Sequence, residues 1–197
     1  MRIGVTGDTH GDFGRVYYYS NKLEFTEDDM IIILGDAGVN YYGGKKDIKK
    51  KEELKLIKCK IFCIHGNHEK RPETIDTYKT KEFCGGEVFY EEEYPNILFA
   101  KDGEIYEFIG LKTLVVGGAY SIDKHYRLLN GWNWFEDEQP SEETKKQVEK
   151  VLEENDWKVD VILTHTCPLS LEPREWFLSF VDQSTVDKST EEWLETI

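Results

Sequence analysis

The 197-residue chain has no stretch near the roughly 18 to 20 consecutive apolar residues that span a bilayer, which excludes a transmembrane helix. It opens "MRIGVTGD", running straight into a predicted strand, without the charged, apolar and small-residue segments of a secretory signal. A cytoplasmic protein with no membrane partner is therefore expected. Cysteine is scarce: Cys59, Cys63, Cys84 and Cys167 form no CxxC pair and no dense disulfide framework. They read as reduced, small core residues. The Cys-x3-Cys of Cys59 and Cys63, followed by His65 and His68, lacks the rest of a zinc-finger pattern. "GVNYYGGKK" lacks the Gly-Lys-Ser/Thr of a P-loop. Basic residues are in deficit, 25 Lys+Arg against 39 Asp+Glu, and the net charge of -14 opposes nonspecific coating of nucleic acid. Bound divalent ions can still make one pocket of such a surface attractive to phosphate.

Neither internal repeats nor low-complexity linkers interrupt the chain, and its length suits one domain over residues 1–197. Three apolar runs, "RIGVTG", "MIIILGD" (30–36) and "KIFCIHGN" (60–67), each end in glycine plus a polar residue. Continuous runs such as Ile31 to Leu34 suit strands covered on both faces. The segment "GKKDIKKKEELKLIK" between the second and third predicts a helix with a solvated lysine face, and the alternation predicts βαβ units in a parallel sheet. From Glu87, "EVFYE", "NILFA", "EIYEFIG" and "KTLVVGGA" leave no room for helices and predict antiparallel strands of a second sheet. Ser141 opens a helix over "SEETKKQVEKVLEEN", "VDVILTHTCP" gives one more buried strand, and Ser189 with Glu192 has the spacing of a capping box.

The polar residues gather where the predicted strands end: Asp8 and His10, Asp36, Asn67 and His68, then His165. In open α/β sheets that edge is where ligands bind. Asp8 and His10, two apart in extended chain, project to one side and can share an ion. Asp36 offers two oxygens that can bridge a pair of ions about 3.5 to 4 Å apart. With the Asn67 amide oxygen and the His165 imidazole, the mixed O and N donors suit Mn, Fe or Zn. Singly each has a plainer reading: Asp8 a helix cap, Asp36 and Asn67 turn formers, His165 a core histidine. His65 and His125 fit no such pattern and read as structural.

The ordered set "GDTHGD", "LGD" (34–36), "GNHE" (66–69) and "THTCP" (164–168) resembles the calcineurin-like metallophosphoesterases over nearly the whole chain. The resemblance implies an α/β fold, a two-sheet β-sandwich flanked by helices in four layers (α/β/β/α). It implies one metal on Asp8, His10 and Asp36, a second on Asp36, Asn67 and His165, and His68 beside the leaving group. A phosphate monoester or diester is the implied substrate. The family's Gly-His-x-His segment is missing, since no histidine follows His165, so the chain is expected to be a C-terminally shortened version with three protein ligands per metal. That departure keeps open a catalytically impaired metal- or phosphate-binding protein, or an oligomer whose neighbour completes the site. Arg127 in "DKHYRLLNGWNWF" suits either a bidentate contact to substrate phosphate, with Trp132 and Trp134 as an aromatic wall, or the anchor of a long surface loop.

Overall fold

The computed structural model describes residues 1–177, 179 and 182–197. Its first sheet takes β1 (Ile3–Thr6), β2 (Met30–Ile33) and β3 (Lys60–Cys63), with helices α1 (Gly14–Lys22) and α2 (Lys45–Lys55) between them. A hairpin follows, β4 (Lys79–Phe83) and β5 (Gly86–Tyr90), then β6 (Ile97–Ala100). The strand order is β1-β2-β3-β6-β5-β4. Strands β1, β2, β3 and β6 run parallel, and β5 is antiparallel to both β6 and β4. A second, three-stranded sheet orders β7 (Ile105–Phe108), β8 (Leu111–Val116) and β9 (Val161–Thr164), its β8–β9 pair parallel. Between β8 and β9 lie α3 (Lys124–Leu129) and α4 (Glu142–Glu154), and α5 (Ser189–Leu194) follows.

Alternation along the strands sorts side chains into three apolar layers. Ile31, Ile33, Ile61, Cys63, Ile97 and Phe99 pack outward against Val16 of α1 and Leu54 of α2. Their neighbours Met30, Ile32, Phe62, Leu98 and Ala100 face Tyr106, Phe108 and Val115 of the second sheet. Leu114 and Val116 turn the other way, onto Val148 and Leu152 of α4. The result is the expected four-layer α/β/β/α sandwich. Its middle layer is aromatic: Phe62 meets Tyr106 and Phe108 edge-on at 5.1 and 5.2 Å, a favoured ring geometry. The buried Tyr106 hydroxyl is satisfied by donating to Glu87 O at 2.6 Å.

Several sequence expectations need correction. "EVFYE" and "NILFA" join the first sheet, where β6 pairs in parallel with β3, and only the last two runs enter the second. Short apolar strands look alike in either sheet, because both faces of each sheet are covered. Hairpin strand β4, "KTKEF", is a polar edge strand with no apolar run to mark it in the sequence. Helix α2 is less solvated than its lysines suggest: Lys51 is buried and paired with Glu91, and Asp47 accepts the Tyr42 and Gly43 amides at 3.0 and 2.6 Å. Ser141 does cap α4, its Oγ accepting Thr144 N at 3.1 Å. Ser189 is instead the first residue of α5, its amide received by Asp187 Oδ1 at 3.0 Å, so the capping box does not form. Cys59 and Cys63 lie in the core, but Cys84 and Cys167 are only half-buried; all four are free thiols. Among the described residues no helix is long and apolar enough to cross a membrane.

At the border of the first sheet, Asp29 ties the N-terminus to the turn before β2. It accepts Arg2 N at 2.7 Å, Arg2 Nη2 at 2.6 Å and Thr26 N at 2.9 Å. The Arg2 guanidinium, then the Thr26 and Arg2 amides, hold its carboxyl well below the ordinary carboxylate range. A depressed folded-state pKa contributes stability that is present above the unfolded value, about 3.9, and lost as pH falls through the folded one. Asp29→Asn should therefore melt below wild type at pH 7, and thermal melts should show the gap narrowing as pH falls below about 4.

Candidate metal centre

Four parallel-running chain segments leave the sheets at one edge, and three backbone bonds knit the first two together. Thr9 N and His10 N both donate to Asp36 O, at 3.1 and 2.8 Å, and Gly11 N donates to Ala37 O at 3.0 Å. This holds His10 and Asp36 at φ of 45° and 49°, left-handed conformations that non-glycine residues adopt only where the surroundings impose them. The plainer reading of Asp8 as the cap of α1 fails, since Asp12 Oδ1 receives the Gly14 amide at 3.0 Å.

Asp36 is the centre of the cluster, 2% exposed, with its two oxygens facing different groups. Oδ2 lies 3.8 Å from His10 Nε2 and 3.5 Å from His68 Nδ1. Oδ1 accepts the His68 amide at 2.8 Å and lies 3.8 Å from His165 Nε2. Asp8 stands on the outer side, its Oδ2 3.8 Å from His10 Nε2. Asn67 joins from β3, its Oδ1 2.8 Å from His165 Nε2 and its amide nitrogen donating to Ser121 Oγ at 2.7 Å. All five residues expected to ligate metal thus converge. The tightest ionisable triad is His10, Asp36 and His68, with ligand atoms within 4.8 Å of one another. His68, expected beside a leaving group, therefore stands close enough to the same carboxylate to ligate.

The tautomer of His165 indicates what the cluster is built to hold. Its Nδ1 lies 2.7 Å from the carbonyl of Leu34, which can only accept, so Nδ1 carries a proton. In the neutral ring the Nε2 lone pair then points at Asn67 Oδ1, another acceptor. Two acceptors face to face, beside a buried carboxylate, are what a shared cation relieves. A backbone carbonyl fixing the far nitrogen is also the usual support of a metal-bound histidine. Atoms sharing an ion at about 2.1 Å lie roughly 3.0 to 3.4 Å apart, so modest side-chain rotation would close this set on a divalent metal. The residues fit the group.

Three neighbours were not identified from sequence. Glu69, the last residue of "GNHE", is fully buried, and its Oε1 accepts Gly66 N at 3.1 Å and Ala37 N at 3.4 Å, joining the loops after β2 and β3. Burial, and then the nearby Asp36 charge, push its carboxyl up to about 8. Ser121 fixes the Asn67 amide, as above. Asp123 reaches His68: its Oδ1 lies 3.5 Å from Nε2, and that oxygen has no hydrogen-bond partner among the described residues. The "GNHE" string could have pointed to Glu69; nothing local marks Ser121 or Asp123, which the fold brings 50 or more residues along the chain to β3.

Arg127 is turned inward. It is buried, its Nε 3.0 Å from Asp123 Oδ2 and its Nη1 2.7 Å from Asn133 O, with the guanidinium over Tyr41. These contacts suit the second of its two readings, the anchor of a loop. Trp132 is exposed and packs on Tyr126, while Trp134 donates to Glu138 Oε2 at 2.7 Å, so the two do not share one wall. His125 is exposed, and His65 is buried with both ring nitrogens lacking partners among the described residues. Burial, then the charge of Arg71, holds His65 neutral. Burial also lowers the His68 pKa, followed by opposing effects of Asp36, which raises it, and Arg127, which lowers it.

Close backbone approach makes two glycines obligatory here. A Cβ on Gly35, whose φ is +98°, would lie 2.0 Å from His165 Nδ1; one on Gly66 would lie 2.0 Å from Asp36 Oδ1 and 2.2 Å from its amide nitrogen. Gly66→Ala is expected to cost about 2 to 4 kcal/mol, since backbone must move. Urea denaturation would measure the loss, and a cost under about 0.5 kcal/mol would contradict the packing described.

Among the curated proteins, none matches this chain. A solved structure, a protein of unknown function from Aquifex aeolicus, is similar at 13% identity over 82% of this chain and 77% of that one, with a TM-score of 0.38. Far more extensive is the match to the family model described as Calcineurin-like phosphoesterase, which spans residues 1–194 and so takes in every strand end that delivers a side chain to Asp36. The four segments, their order and their convergence are accounted for together: the chain belongs to the calcineurin-like phosphoesterase family.

Proposed function

We propose that the protein hydrolyses a phosphate monoester or diester at a two-cation site centred on Asp36. The observation that carries this reading is the buried Asp36 carboxylate, whose two oxygens face His165 on one side and His10 and His68 on the other. In this reading Asp8, His10 and Asp36 hold one divalent ion, and Asp36, Asn67 and His165 the second, with Mn, Fe or Zn suited to the O and N donors. When bound, such ions supply positive charge to the phosphoryl oxygens and acidify water.

The chain's own residues then have distinct tasks. Asp36 keeps the two donor groups in register, because its backbone carbonyl fixes the His10 loop while its side chain faces both groups. Leu34 O and Ser121 Oγ orient His165 and Asn67. His68 hydrogen-bonds the departing oxygen and delivers a proton to it from a ring nitrogen. Burial disfavours the charged ring, Asp36 and then Asp123 favour it, and Asp123, 3.5 Å from Nε2, sets its orientation. Arg127 holds Asp123 in place. A phosphorylated molecule is the partner in this reading, and the acidic surface argues against broad nucleic-acid contact. The free thiols suit the reducing cytoplasm we propose as its setting.

Bis-p-nitrophenyl phosphate and p-nitrophenyl phosphate with added Mn test the reading. Turnover abolished by chelation, and reduced about 100-fold or more by Asp36→Asn, is the expected result. A folded protein that binds Mn yet turns over neither ester sinks it and leaves a metal-binding scaffold. Asp123→Asn should lower kcat about tenfold or more for phenyl phosphate, and much less for the p-nitrophenyl ester, whose leaving group needs little proton donation. Equal loss on both esters would assign Asp123 a merely structural part.

A further inference from the structure

Between β8 and α3 the chain is pinned by its backbone and then by one side chain. Gly117 N donates to Asp102 Oδ1 at 2.7 Å, Gly118 N to His65 O at 2.8 Å and Ala119 N to Glu138 O at 3.1 Å. Ser121 is held differently. Its amide donates to the Glu138 side chain, at 3.1 Å from Oε1, and the other oxygen of that carboxylate accepts the Trp134 indole N–H at 2.7 Å. Ser121 and Glu138 are almost fully buried, 1% and 2% exposed. Ser121 Oγ in turn accepts the Asn67 amide nitrogen at 2.7 Å, and Asn67 Oδ1 lies 2.8 Å from His165 Nε2. The segment bearing Glu138 is fixed to the loop after β3 as well, because Arg71 Nε donates to Asp137 O at 2.7 Å.

We propose that Glu138 is a positioning residue of the metal centre, acting through Ser121 to hold the Asn67 amide oxygen toward the cation shared with His165, a role that rests on the cation centre proposed above. The two donors explain why a carboxylate stands here. A backbone N–H and an indole N–H can only donate, so the side chain between them must accept at both ends. Glutamine accepts at one end and donates at the other. In this place it would turn an NH2 group against one of the two donors and leave that donor buried without an acceptor. The bonds at Gly117, Gly118 and Ala119 do not involve the Glu138 side chain, so they hold the loop whether or not that side chain keeps its charge. What the carboxylate adds is the placement of Ser121, and through it of Asn67.

Calorimetric titration of the full chain, stripped by chelation, with Mn chloride tests this without any hydrolysis. Wild type is expected to bind two ions. Glu138→Gln should bind one of them about three- to tenfold more weakly and leave the other unchanged, the effect of one lost hydrogen bond behind a ligand. Ser121→Ala keeps the amide that Glu138 accepts and removes the hydroxyl, and should weaken the same ion about tenfold. Both substitutions together should cost no more than Ser121→Ala alone, since they break a single chain of contacts. Trp134→Phe gives the readout that a merely structural part would not: with the indole donor gone, glutamine can turn its oxygen to Ser121. Glu138→Gln with Trp134→Phe should therefore bind both ions as Trp134→Phe alone does. The proposal is overturned, and the phosphoesterase reading left intact, if Glu138→Gln binds both ions like wild type, if it weakens both equally, or if adding Trp134→Phe deepens the loss. Should Glu138→Gln fail to fold, Ser121→Ala binding both ions like wild type overturns it as well. A wild type that binds fewer than two ions overturns it together with the two-cation centre.

Discussion

A single carboxylate taken out of water organises this molecule. Asp36 has its oxygens committed to two sets of imidazoles and its backbone carbonyl to the amides of Thr9 and His10. Burying such a charge in an apolar sandwich is unfavourable unless donors or cations surround it. The surrounding loops supply them in layers: the His68 amide directly, the histidine rings around it, and Leu34 O, Ser121 and Asp123 behind those. The left-handed backbone at His10 and Asp36 and the glycines at 35 and 66 are the conformational cost of that convergence. Among the described residues no lysine or arginine pairs with this carboxylate, only imidazoles and a backbone amide face it, and this is why the cluster reads as a cation site and not as a structural network.

What could be read from the sequence was set by local physics. Strand ends that pair an apolar run with Gly-Asp, Gly-Asn or Thr-His are visible in one window, and Asp8, His10, Asp36, Asn67 and His165 do converge. The βαβ alternation and the later run of strands pointed to two sheets with helices, and the four-layer class was what the family resemblance implied. Sheet membership did not, because "NILFA" would satisfy either sheet and only β3, more than thirty residues earlier, decides that it pairs in parallel. Asp123 and Arg127 lay in a stretch whose charge and aromatics suggested contact with substrate. Their partners, His68 and Asn133 O, are set by the fold, which turned the arginine inward. Lys51 shows the same limit: a lysine in a lysine-rich helix gives no sign that Glu91 awaits it.

The aromatic middle layer explains how two dissimilar sheets are held at a fixed distance. Phe62 from the large sheet sits against Tyr106 and Phe108 from the small one, and the Tyr106 hydroxyl closes onto β5 through Glu87. Gly86 leaves the room this needs, since a Cβ there would lie 2.8 Å from the Tyr106 ring. Rigid ring contacts of this kind carry orientation as well as apolar burial. His165, arriving from the small sheet, therefore reaches Asp36 across an interface with little freedom to slide.

Strand order gives the centre a built-in inequality. Asp36 and the Asn67–His68 pair issue from β2 and β3, interior strands with a neighbour on each side, whereas Asp8 and His10 follow β1 and His165 follows β9, each the last strand of its sheet. Outer strands fray before inner ones. The flanking groups thus rest on strands held from one side only, while the middle of the cluster rests on strands held from both.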